Sequence, residues 1–329
     1  MVLDYPELDD FLRRALDEDI GTGDVTTNCC VEETAKSKGS FYMKEPGVIC
    51  GLFVAARVFE LLDDAVCVTA LFSDGDTVSA GAVVAEISGP SRAILTGERV
   101  ALNLLQHMSG VATRTAEAVL EISGSKTLIK DTRKTTPGMR ALEKYAVKCG
   151  GGSNHRFNLA DGALIKDNHI RAAGGIESAV RRMQDIARDA AQDAAQDAAR
   201  DIARDAARDA ARDIARDAAR DAARDAAQDA AQDAARANHV PMLIEVETES
   251  LMQVGEALAA GADIIMLDNM SVEMMAEAVK MINGRALTEA SGNMGERDLM
   301  AIAETGVDFI SIGALTHSVK ALDISLKFD

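Results

Sequence analysis

The chain has 329 residues, which is enough for one large domain or for two. Hydrophobic residues make up 47% of it but aromatic residues only 3%, so aliphatic side chains and Met must build the core. With 35 Lys and Arg against 53 Asp and Glu, the formal net charge is −18. This charge argues against a general nucleic-acid-binding protein, because such a protein needs a basic face.

The sequence also predicts a cytoplasmic protein without a membrane partner. It has no run of about 18 apolar residues, the length that a membrane span needs. It begins with the acidic MVLDYPELDD and not with a basic segment followed by an apolar one. Its five cysteines are an odd number without metal-ligand spacing, which is typical of reduced thiols in a cytosol.

The first 107 residues predict a small sandwich domain of mixed α and β structure. One helical face carries five apolar residues, namely Leu8, Phe11, Leu12, Ala15 and Leu16. Two β-like runs follow, Ala65–Phe72 and Ala82–Ile87, separated by the turn-rich SDGD. A helix that contains Arg99–Met108 then leads into the second half.

In the second half, short apolar runs alternate with helical patterns, and polar residues follow each run at once. The runs are residues 127–130, 163–166, 242–246, 264–267, the segment at Leu287, and 309–312. Strands that alternate with helices predict a parallel sheet. Functional groups at the carboxyl ends of six or more such strands indicate a β/α barrel. A doubly wound open sheet is the alternative, although no G-x-G-x-x-G follows a first strand.

A repeat interrupts this half. From Asp185 to Asp233 an Asp recurs at every fourth residue, 13 times in all, in units such as DAAR and DAAQ. Ala is the best helix former, and each Asp precedes an Arg or Gln at i+3, so we expect residues 185–236 to form a long helical insertion. It has no fixed apolar stripe and should project into solvent. Its role is either that of an inert spacer or that of a rod that binds a partner or associates with itself.

One basic island stands out in this acidic chain. Nine Lys and Arg against four acids lie between Lys130 and Arg171, a net charge of +5. Arg133, Lys134, Arg156 and Lys166 follow predicted strands, and on a barrel they would converge. Such a cluster suits a small polyanion, because Arg binds carboxylates and phosphates through a two-pronged fork. The alternative is a solvated face of scattered ion pairs.

Acidic residues follow at later strand ends. Glu245 and Glu247 point the same way from one strand, and Asp268 ends the next. Carboxylates near a polyanion site predict Mg²⁺, which is held by one or two carboxylates plus substrate oxygens. Each could instead pair with a basic residue.

Glycines next to serines end the last two strand runs. Ser291 precedes Gly292, and Ser311 precedes Gly313 by two positions. Glycine lets backbone N–H groups approach an anion, and late barrel strands are the usual phosphate position. These four residues therefore favour a phosphorylated substrate.

Eight segments together carry a resemblance to one family. They are GTGDVTT (21–27), GERVALNLLQHMSGVAT (97–113), DTRKTTPGMR (131–140), GGGSNHRFNLADGALIKDNHI (150–170), IEVETESLMQV (244–254), IIMLDNM (264–270), EASGN (289–293) and ISIGALTH (310–317). The chain closely resembles quinolinate phosphoribosyltransferases, also called nicotinate-nucleotide pyrophosphorylases (carboxylating). The resemblance covers nearly the whole chain outside residues 185–237.

The resemblance implies a fold and a reaction. The fold is a seven-stranded α/β barrel with an N-terminal α/β sandwich domain. It implies a sandwich over residues 1–107, a barrel over 108–317 and a C-terminal segment over 318–329 that returns to the sandwich. The reaction joins quinolinate to phosphoribosyl pyrophosphate with Mg²⁺, and yields nicotinate mononucleotide, pyrophosphate and CO₂ for NAD synthesis.

It also implies site residues. The residues that resemble the quinolinate-binding set are Arg133, Lys134, His155, Arg156 and Lys166. Arg99 resembles an arginine that reaches the site from the partner subunit of a homodimer. Glu247 and Asp268 resemble the acidic pair near the ribose and metal, and Ser291, Gly292 and Gly313 the phosphate loops. With Lys134, the acidic pair makes up the predicted catalytic set.

Two departures from the family pattern concern the barrel. The chain has Ser291-Gly292-Asn293 where the family usually shows Ser-Gly-Gly, which puts one close backbone approach in doubt. The repeat enters a barrel helix that begins near Ile176. Two other functions stay open: a related phosphoribosyltransferase-like protein of the same fold, such as the molybdenum-associated relatives, and an inactive scaffold that presents the repeat.

Overall fold

The computed structural model describes residues 5–188 and 243–329, which form a mixed α/β fold. The N-terminal helices are α1 (Leu8–Ile20), α2 (Val25–Cys30), α3 (Leu52–Glu60) and α4 (Ser91–Glu121). The strands among them are β1 (Lys36–Met43), β2 (Gly47–Val48), β3 (Cys67–Ala70), β4 (Thr77–Val78) and β5 (Val83–Pro90).

The remaining elements alternate between strand and helix. The strands are β6 (Leu128–Lys130), β7 (Ala163–Ile165), β8 (Ile244–Thr248), β9 (Ile264–Asp268), β10 (Leu287–Ser291), β11 (Phe309–Ser311) and β12 (Ile324–Phe328). The helices are α5 (Arg140–Cys149), α6 (Asp167–Ala173), α7 (helical residues 176–188), α8 (Leu251–Ala260), α9 (Val272–Ile282), α10 (Leu299–Ala303) and α11 (Ala314–His317). A 3₁₀ turn covers Met294–Glu296.

The apolar face predicted for α1 is confirmed. Leu12 and Leu16 are buried, and the other three predicted residues of that face are at most half-exposed. Burying such a leucine side chain contributes roughly 1.5–3 kcal/mol relative to leaving it in water. The predicted helix at Arg99–Met108 is the middle of α4, which is 31 residues long.

An antiparallel sheet with the order β12-β1-β5-β3 forms the N-terminal layer. Strand β12, near the end of the chain, pairs with β1 from Gly39 opposite Phe328 to Met43 opposite Ile324. A Cβ at Gly39 would lie 2.6 Å from the Lys327 carbonyl oxygen, so the two strands approach closely only because this residue is glycine. The C-terminal segment therefore belongs to the N-terminal sheet.

A six-stranded sheet has the order β6-β11-β10-β9-β8-β7. Strand β11 pairs in parallel with β10 and β6, and β7 pairs in parallel with β8, with Ile310 opposite Ile129 and Leu164 opposite Glu245. Strand β6, the first of this set in the chain, pairs with β11, the last, and the other strands follow β11 in reverse chain order down to β7. Ser153 makes an isolated parallel bridge to Lys130 on β6, with its N–H 2.8 Å from the Ile129 carbonyl oxygen. A parallel α/β sheet is thus confirmed, and it contains six described strands plus this bridge.

The fold divides into two compact units. Of the described residues, the first comprises 5–158, 267–280 and 288–329, and the second comprises 159–188, 243–266 and 281–287. The predicted division between residues 107 and 108 falls inside the continuous helix α4. Of the predicted helical insertion, residues 185–188 are helical, and residues 189–236 lie outside the described part of the chain.

Within residues 5–188 and 243–329, no helix combines the length and the apolar character needed to span a bilayer.

Candidate active site

Apart from Arg99 and the two residues that follow the Ser153 bridge, the residues predicted for the site lie at or after the carboxyl ends of strands, and each unit carries some of them. Those of the first unit follow β6, the Ser153 bridge, β9, β10 and β11, and are Arg133, Lys134, His155, Arg156, Asp268, Ser291, Gly292, Ser311 and Gly313. Those of the second unit are Lys166, directly after β7, and Glu247, in β8. Arg99 is exposed on α4.

A buried ion pair lies beneath the loop after β6. The Lys144 ammonium donates to Asp131 Oδ1 at 2.6 Å, and these side chains are 2% and 0% exposed. Lys144 also donates to the His155 carbonyl oxygen at 2.9 Å, and the His155 N–H donates to the same Asp131 oxygen at 2.8 Å. Burial raises the pKa of Asp131 above its ordinary value, although Lys144 and His155 act in the opposite direction. The pair fixes the backbone at His155.

A second buried carboxylate, Glu289 on β10, contacts the side chains of three neighbours. Lys130 donates to its Oε2 at 3.1 Å, His155 Nε2 lies 3.4 Å from its Oε1, and the Ser311 hydroxyl donates to that oxygen. Burial alone would raise the pKa of Glu289. The hydrogen bond and charge of His155, the charge of Lys130 and the Ser311 hydroxyl together hold it below its ordinary value. Glu289 is therefore an ionised carboxylate inside the strand layer.

The contacts of the His155 ring determine its tautomer. The Arg156 backbone N–H donates to His155 Nδ1 at 2.7 Å, so Nδ1 carries no proton. The proton of the neutral ring must then be on Nε2, the atom that faces Glu289. Glu289 and the Arg156 backbone together hold the ring in one orientation.

Arg133 and Lys134 are available to an anionic ligand. Arg133 is half-buried, and its buried Nε has no hydrogen-bond partner among the described residues. Lys134 is exposed, with its N–H bonded to Thr132 Oγ1 at 3.1 Å and its carbonyl oxygen accepting from Thr316 Oγ1 at 2.8 Å. The Lys134 backbone is thus held on both sides while its ammonium faces solvent. An arginine N–H that is removed from water without a partner favours the binding of an acceptor there.

Helix α5 holds the loop that carries these two cations. Buried Glu143 accepts from the Thr136 N–H at 3.0 Å and contacts His107 Nε2 at 2.9 Å. Arg140 donates to Thr135 Oγ1 at 3.0 Å and to the Phe157 carbonyl oxygen at 3.1 Å. These bonds explain how a loop rich in Thr, Pro and Gly keeps one conformation.

The loop after β10 accommodates the departure from Ser-Gly-Gly. Asn293 has φ 51° and ψ 30°, the left-handed conformation that Asn tolerates better than most residues. Gly292 has φ 96°, and a Cβ there would lie 2.7 Å from the backbone nitrogen of Asn269. Asn269 also donates to Asp268 Oδ2 at 2.6 Å. Glycine at 292 is therefore required by the close approach of Asn269.

The two residues predicted after β11 have different surroundings. The described contact of Ser311 is its bond to buried Glu289, so its role in binding phosphate stays a prediction. A Cβ at Gly313 would lie 3.0 Å from Lys134 Cδ, which means that the lysine stem packs directly against this glycine.

In the second unit, Lys166 and Glu247 form an ion pair. The Lys166 ammonium lies 3.0 Å from Glu247 Oε2, and the side chains are 49% and 13% exposed. The Lys166 N–H donates to His169 Nδ1 at 3.0 Å, which fixes the start of α6. Glu245, which was predicted to share a direction with Glu247, is buried. The ion pair places an amine and a carboxylate next to each other at the ends of neighbouring strands.

The sequence did not identify the supporting carboxylates. Asp131 and Glu289 were visible within DTRK and EASG, but a sequence does not show which acid is buried under which base. An acidic residue inside an otherwise apolar strand run was the available signal, because buried charges need partners.

Comparison with known proteins agrees with the resemblance. Residues 24–109 match the model of the quinolinate phosphoribosyl transferase N-terminal domain. Residues 111–211 and 212–327 match that of the C-terminal domain, in two pieces that meet within the repeat.

Relatives of similar length match as well. The probable nicotinate-nucleotide pyrophosphorylase [carboxylating] of Bacillus subtilis is 39% identical over 98% of this chain and 94% of its own length. Quinolinate phosphoribosyltransferase [decarboxylating] 1b of Nicotiana tabacum is 36% identical over 98% and 83%. The solved nicotinate-nucleotide pyrophosphorylase of Francisella tularensis superposes with a TM-score of 0.79 at 37% identity, covering 99% of this chain and 98% of that one.

Proposed function

The chain belongs to the quinolinate phosphoribosyltransferase family, and we propose that it converts quinolinate and phosphoribosyl pyrophosphate to nicotinate mononucleotide, pyrophosphate and CO₂. It is then a decarboxylating glycosyltransferase of NAD synthesis. The named relatives favour this reaction over the two alternatives, a same-fold relative of other function and an inactive scaffold.

The observation that carries the proposal is the state of Arg133. Its guanidinium is half-buried with an N–H that has no partner among the described residues, at the end of a strand and next to the exposed Lys134. A carboxylate that accepts from this guanidinium gains charge-assisted hydrogen bonds and satisfies the buried N–H. Together with Arg156, these groups suit a dicarboxylate better than a monocarboxylate, because two negative charges need more than one cationic partner.

Mg²⁺ is the expected cofactor, and the chemistry of each predicted donor suits it. Glu247 and Asp268 offer hard carboxylate oxygens, and the described contacts engage one oxygen of each. When bound, Mg²⁺ supplies charge neutralisation for the pyrophosphate leaving group. The two carboxylates would hold it, and their charges would support the positive charge that develops on the ribose.

The protein's own contribution is largely one of positioning. Arg133, Arg156 and Lys166 would hold the two carboxylates so that the ring nitrogen faces the reacting carbon of the ribose. Bond formation at that nitrogen makes the ring an electron sink. The carboxylate beside it then leaves as CO₂, the ring carbon that keeps the electron pair takes up a proton from solvent, and the enzyme needs no covalent intermediate. Lys134, which is exposed and whose stem packs on Gly313, would add a further cation to the quinolinate-binding set that the resemblance implies.

The proposal also includes a homodimer and a barrel of seven strands. The exposed position of Arg99 on α4 supports a homodimer in which this residue serves the partner's site. The extended segment at Ser153, bridged to β6, is where we infer the seventh strand of a barrel. Residues Ser291, Gly292 and Gly313 are proposed to contact phosphate, and the cytoplasmic location stays a prediction.

The deciding experiment follows product formation. The full chain is supplied with quinolinate, phosphoribosyl pyrophosphate and Mg²⁺, and nicotinate mononucleotide and CO₂ are measured together. We expect equal amounts of both products with quinolinate and no nucleotide with nicotinate in its place. Equal turnover of nicotinate would contradict a dicarboxylate pocket.

A further inference from the structure

A cluster of thiols and a carboxylate lies in the first unit, among residues that the proposed reaction does not use. The sulfur atoms of Cys50 and Cys149 and a carboxylate oxygen of Asp74 are all within 4.8 Å of one another. Cys50 is buried, while Asp74 and Cys149 are half-buried, so solvent reaches the cluster on their side. Cysteine spacing could not have shown this cluster, because the two thiols are 99 positions apart in the chain.

Three separate segments supply the donors. Cys50 lies just before α3, and the Ser109 hydroxyl on α4 both accepts from the Cys50 N–H at 3.0 Å and donates to its carbonyl oxygen at 3.2 Å. Cys149 is the last residue of α5, and Asp74 lies in the turn between β3 and β4. Each donor is therefore held by its own secondary structure, which makes the cluster a preorganised set.

Asp74 already has a structural role that leaves it able to bind a cation. Its Oδ2 accepts from the Gly51 N–H at 2.9 Å and from the Tyr145 hydroxyl at 3.0 Å, and its Oδ1 accepts from the Leu52 N–H at 3.2 Å. These bonds satisfy N–H groups at the start of α3. They also fix the direction of the carboxylate, and Oδ1 retains a lone pair, because a carboxylate oxygen can accept two bonds.

We propose that Cys50, Asp74 and Cys149 form a binding site for a thiophilic divalent cation, and that Zn²⁺ is the ion that fits these donors. Zinc takes sulfur ligands at about 2.3 Å and oxygen ligands at about 2.0–2.2 Å in a tetrahedron, so its sulfur ligands stand about 3.8 Å apart. The donors here need to converge by at most about 1 Å from their 4.8 Å limit. Solvent completes the fourth position, on the side of Asp74 and Cys149. Mg²⁺ does not compete, because it prefers oxygen ligands in an octahedron.

The test is metal binding by the full chain, after it has been stripped with a chelator and kept reduced with a phosphine. Zn²⁺ is titrated against a chromophoric chelator, and Co²⁺ is used as a spectroscopic substitute. We expect one tight site per chain and a thiolate-to-cobalt charge-transfer band in the near ultraviolet. Cys149→Ser and Asp74→Asn should each weaken Zn²⁺ binding at least tenfold, and Cys149→Ser should reduce the cobalt band. A Cys29→Ser, Cys30→Ser double variant is the matched control and should change neither, because these thiols are exposed elsewhere.

Folding of the variants has to be checked independently. Cys50→Ser introduces a hydroxyl at a buried position, so Cys149→Ser, at a half-buried position, is the primary variant, and circular dichroism of the stripped proteins confirms an unchanged fold. The absence of a cobalt–thiolate band in the reduced wild-type chain would overturn the proposal. Zn²⁺ binding that survives Cys149→Ser would also overturn it. A third contrary result would be that the thiols form a Cys50–Cys149 disulfide once the phosphine is removed, and that the protein then retains no metal.

Discussion

Replacing Lys144 by Met should destabilise the protein strongly, because it leaves a buried carboxylate without its cation. Asp131 is fully buried, and Lys144 is its partner at 2.6 Å. Removing one member of such a pair costs about 3–5 kcal/mol. This corresponds to roughly a hundred- to several-thousand-fold change in the unfolding equilibrium constant, at 1.4 kcal/mol for each factor of ten. Urea unfolding at pH 7 and fixed protein concentration measures it. Lys148→Met, an exposed position on the same helix, is the control and should shift the midpoint little.

A double variant separates the buried charge from lost packing. Lys144→Met combined with Asp131→Asn removes both charges, so we expect it to recover most of the loss and to lie within about 2 kcal/mol of the wild type. If the single variant lost less than about 1 kcal/mol, or if the double variant were no more stable than the single one, the buried pair would not be the source of the effect.

The effect of pH on Lys144→Met has a definite sign. The Lys144 charge lowers the pKa of Asp131 against the larger effect of burial, so its removal raises that pKa further. An acid with a raised folded-state pKa contributes stability below its unfolded-state value and loses it as pH rises through the folded-state value. The stability difference between the variant and the wild type should therefore be largest at neutral pH and should shrink as pH falls towards the ordinary carboxyl range. A difference that grew on acidification would refute this reasoning.

Three further predictions concern the site. Arg133→Ala should weaken quinolinate binding at least about tenfold, by loss of charge-assisted hydrogen bonds of about 1.5–3 kcal/mol, without changing the melting temperature. Isothermal titration checks this, with Arg114→Ala, at a half-buried position whose guanidinium pairs with Glu117, as control. An unchanged affinity would place the pocket elsewhere. Glu289→Gln should remove part of the loss of stability that the wild type shows in acid. A carboxylate with a lowered pKa contributes stability above its unfolded-state pKa and loses that contribution as pH falls through its folded-state pKa. Thermal unfolding at several pH values checks this, and the same acid dependence in variant and wild type would contradict it. Mixing inactive Arg99→Ala with inactive Lys134→Ala should restore part of the activity through one intact hybrid site; subunit exchange without recovered activity would exclude a shared site.

Much of the fold was predictable, because local patterns determine it. The face of α1, the helix around Arg99 and the strand–helix alternation all come from periodic burial, which a sequence shows directly. Strand β1 was not predicted: its first half, KSKG, has no apolar alternation, and it forms because β12 and β5 pair with its two edges. The isolated bridge at Ser153 was not predicted for a similar reason, since a single bridge leaves almost no pattern in the sequence.

The candidate site was predictable in its residue types and less so in its interactions. A cation after a strand run is visible in the sequence, and so is a glycine that needs φ > 0. What the sequence does not show is the physical reason for each residue. The close approach of Asn269 to Gly292 was not predicted, and it requires glycine there independently of any anion. The bond from the Ser311 hydroxyl to buried Glu289 was not predicted either. Both interactions join residues at the ends of neighbouring strands that are far apart in the chain, and chain order does not reveal them.

The net charge of the basic island overstates the cationic character of any pocket built from it. Of its nine basic residues, Lys130 and Lys144 are paired with the buried acids Glu289 and Asp131, and Lys166 lies 3.0 Å from Glu247. Two more have described partners on their own loop or helix, Arg140 with a Thr hydroxyl and a carbonyl oxygen and Arg171 with Asp167. The two buried ion pairs hold the backbone and the imidazole ring of His155 in position. A substrate that bound Lys130 or Lys144 would first have to break hydrogen bonds that are buried from water. We therefore expect selectivity for a dicarboxylate to depend on a small number of cations at the strand ends, with Arg133 first among them, and not on the charge of the segment as a whole.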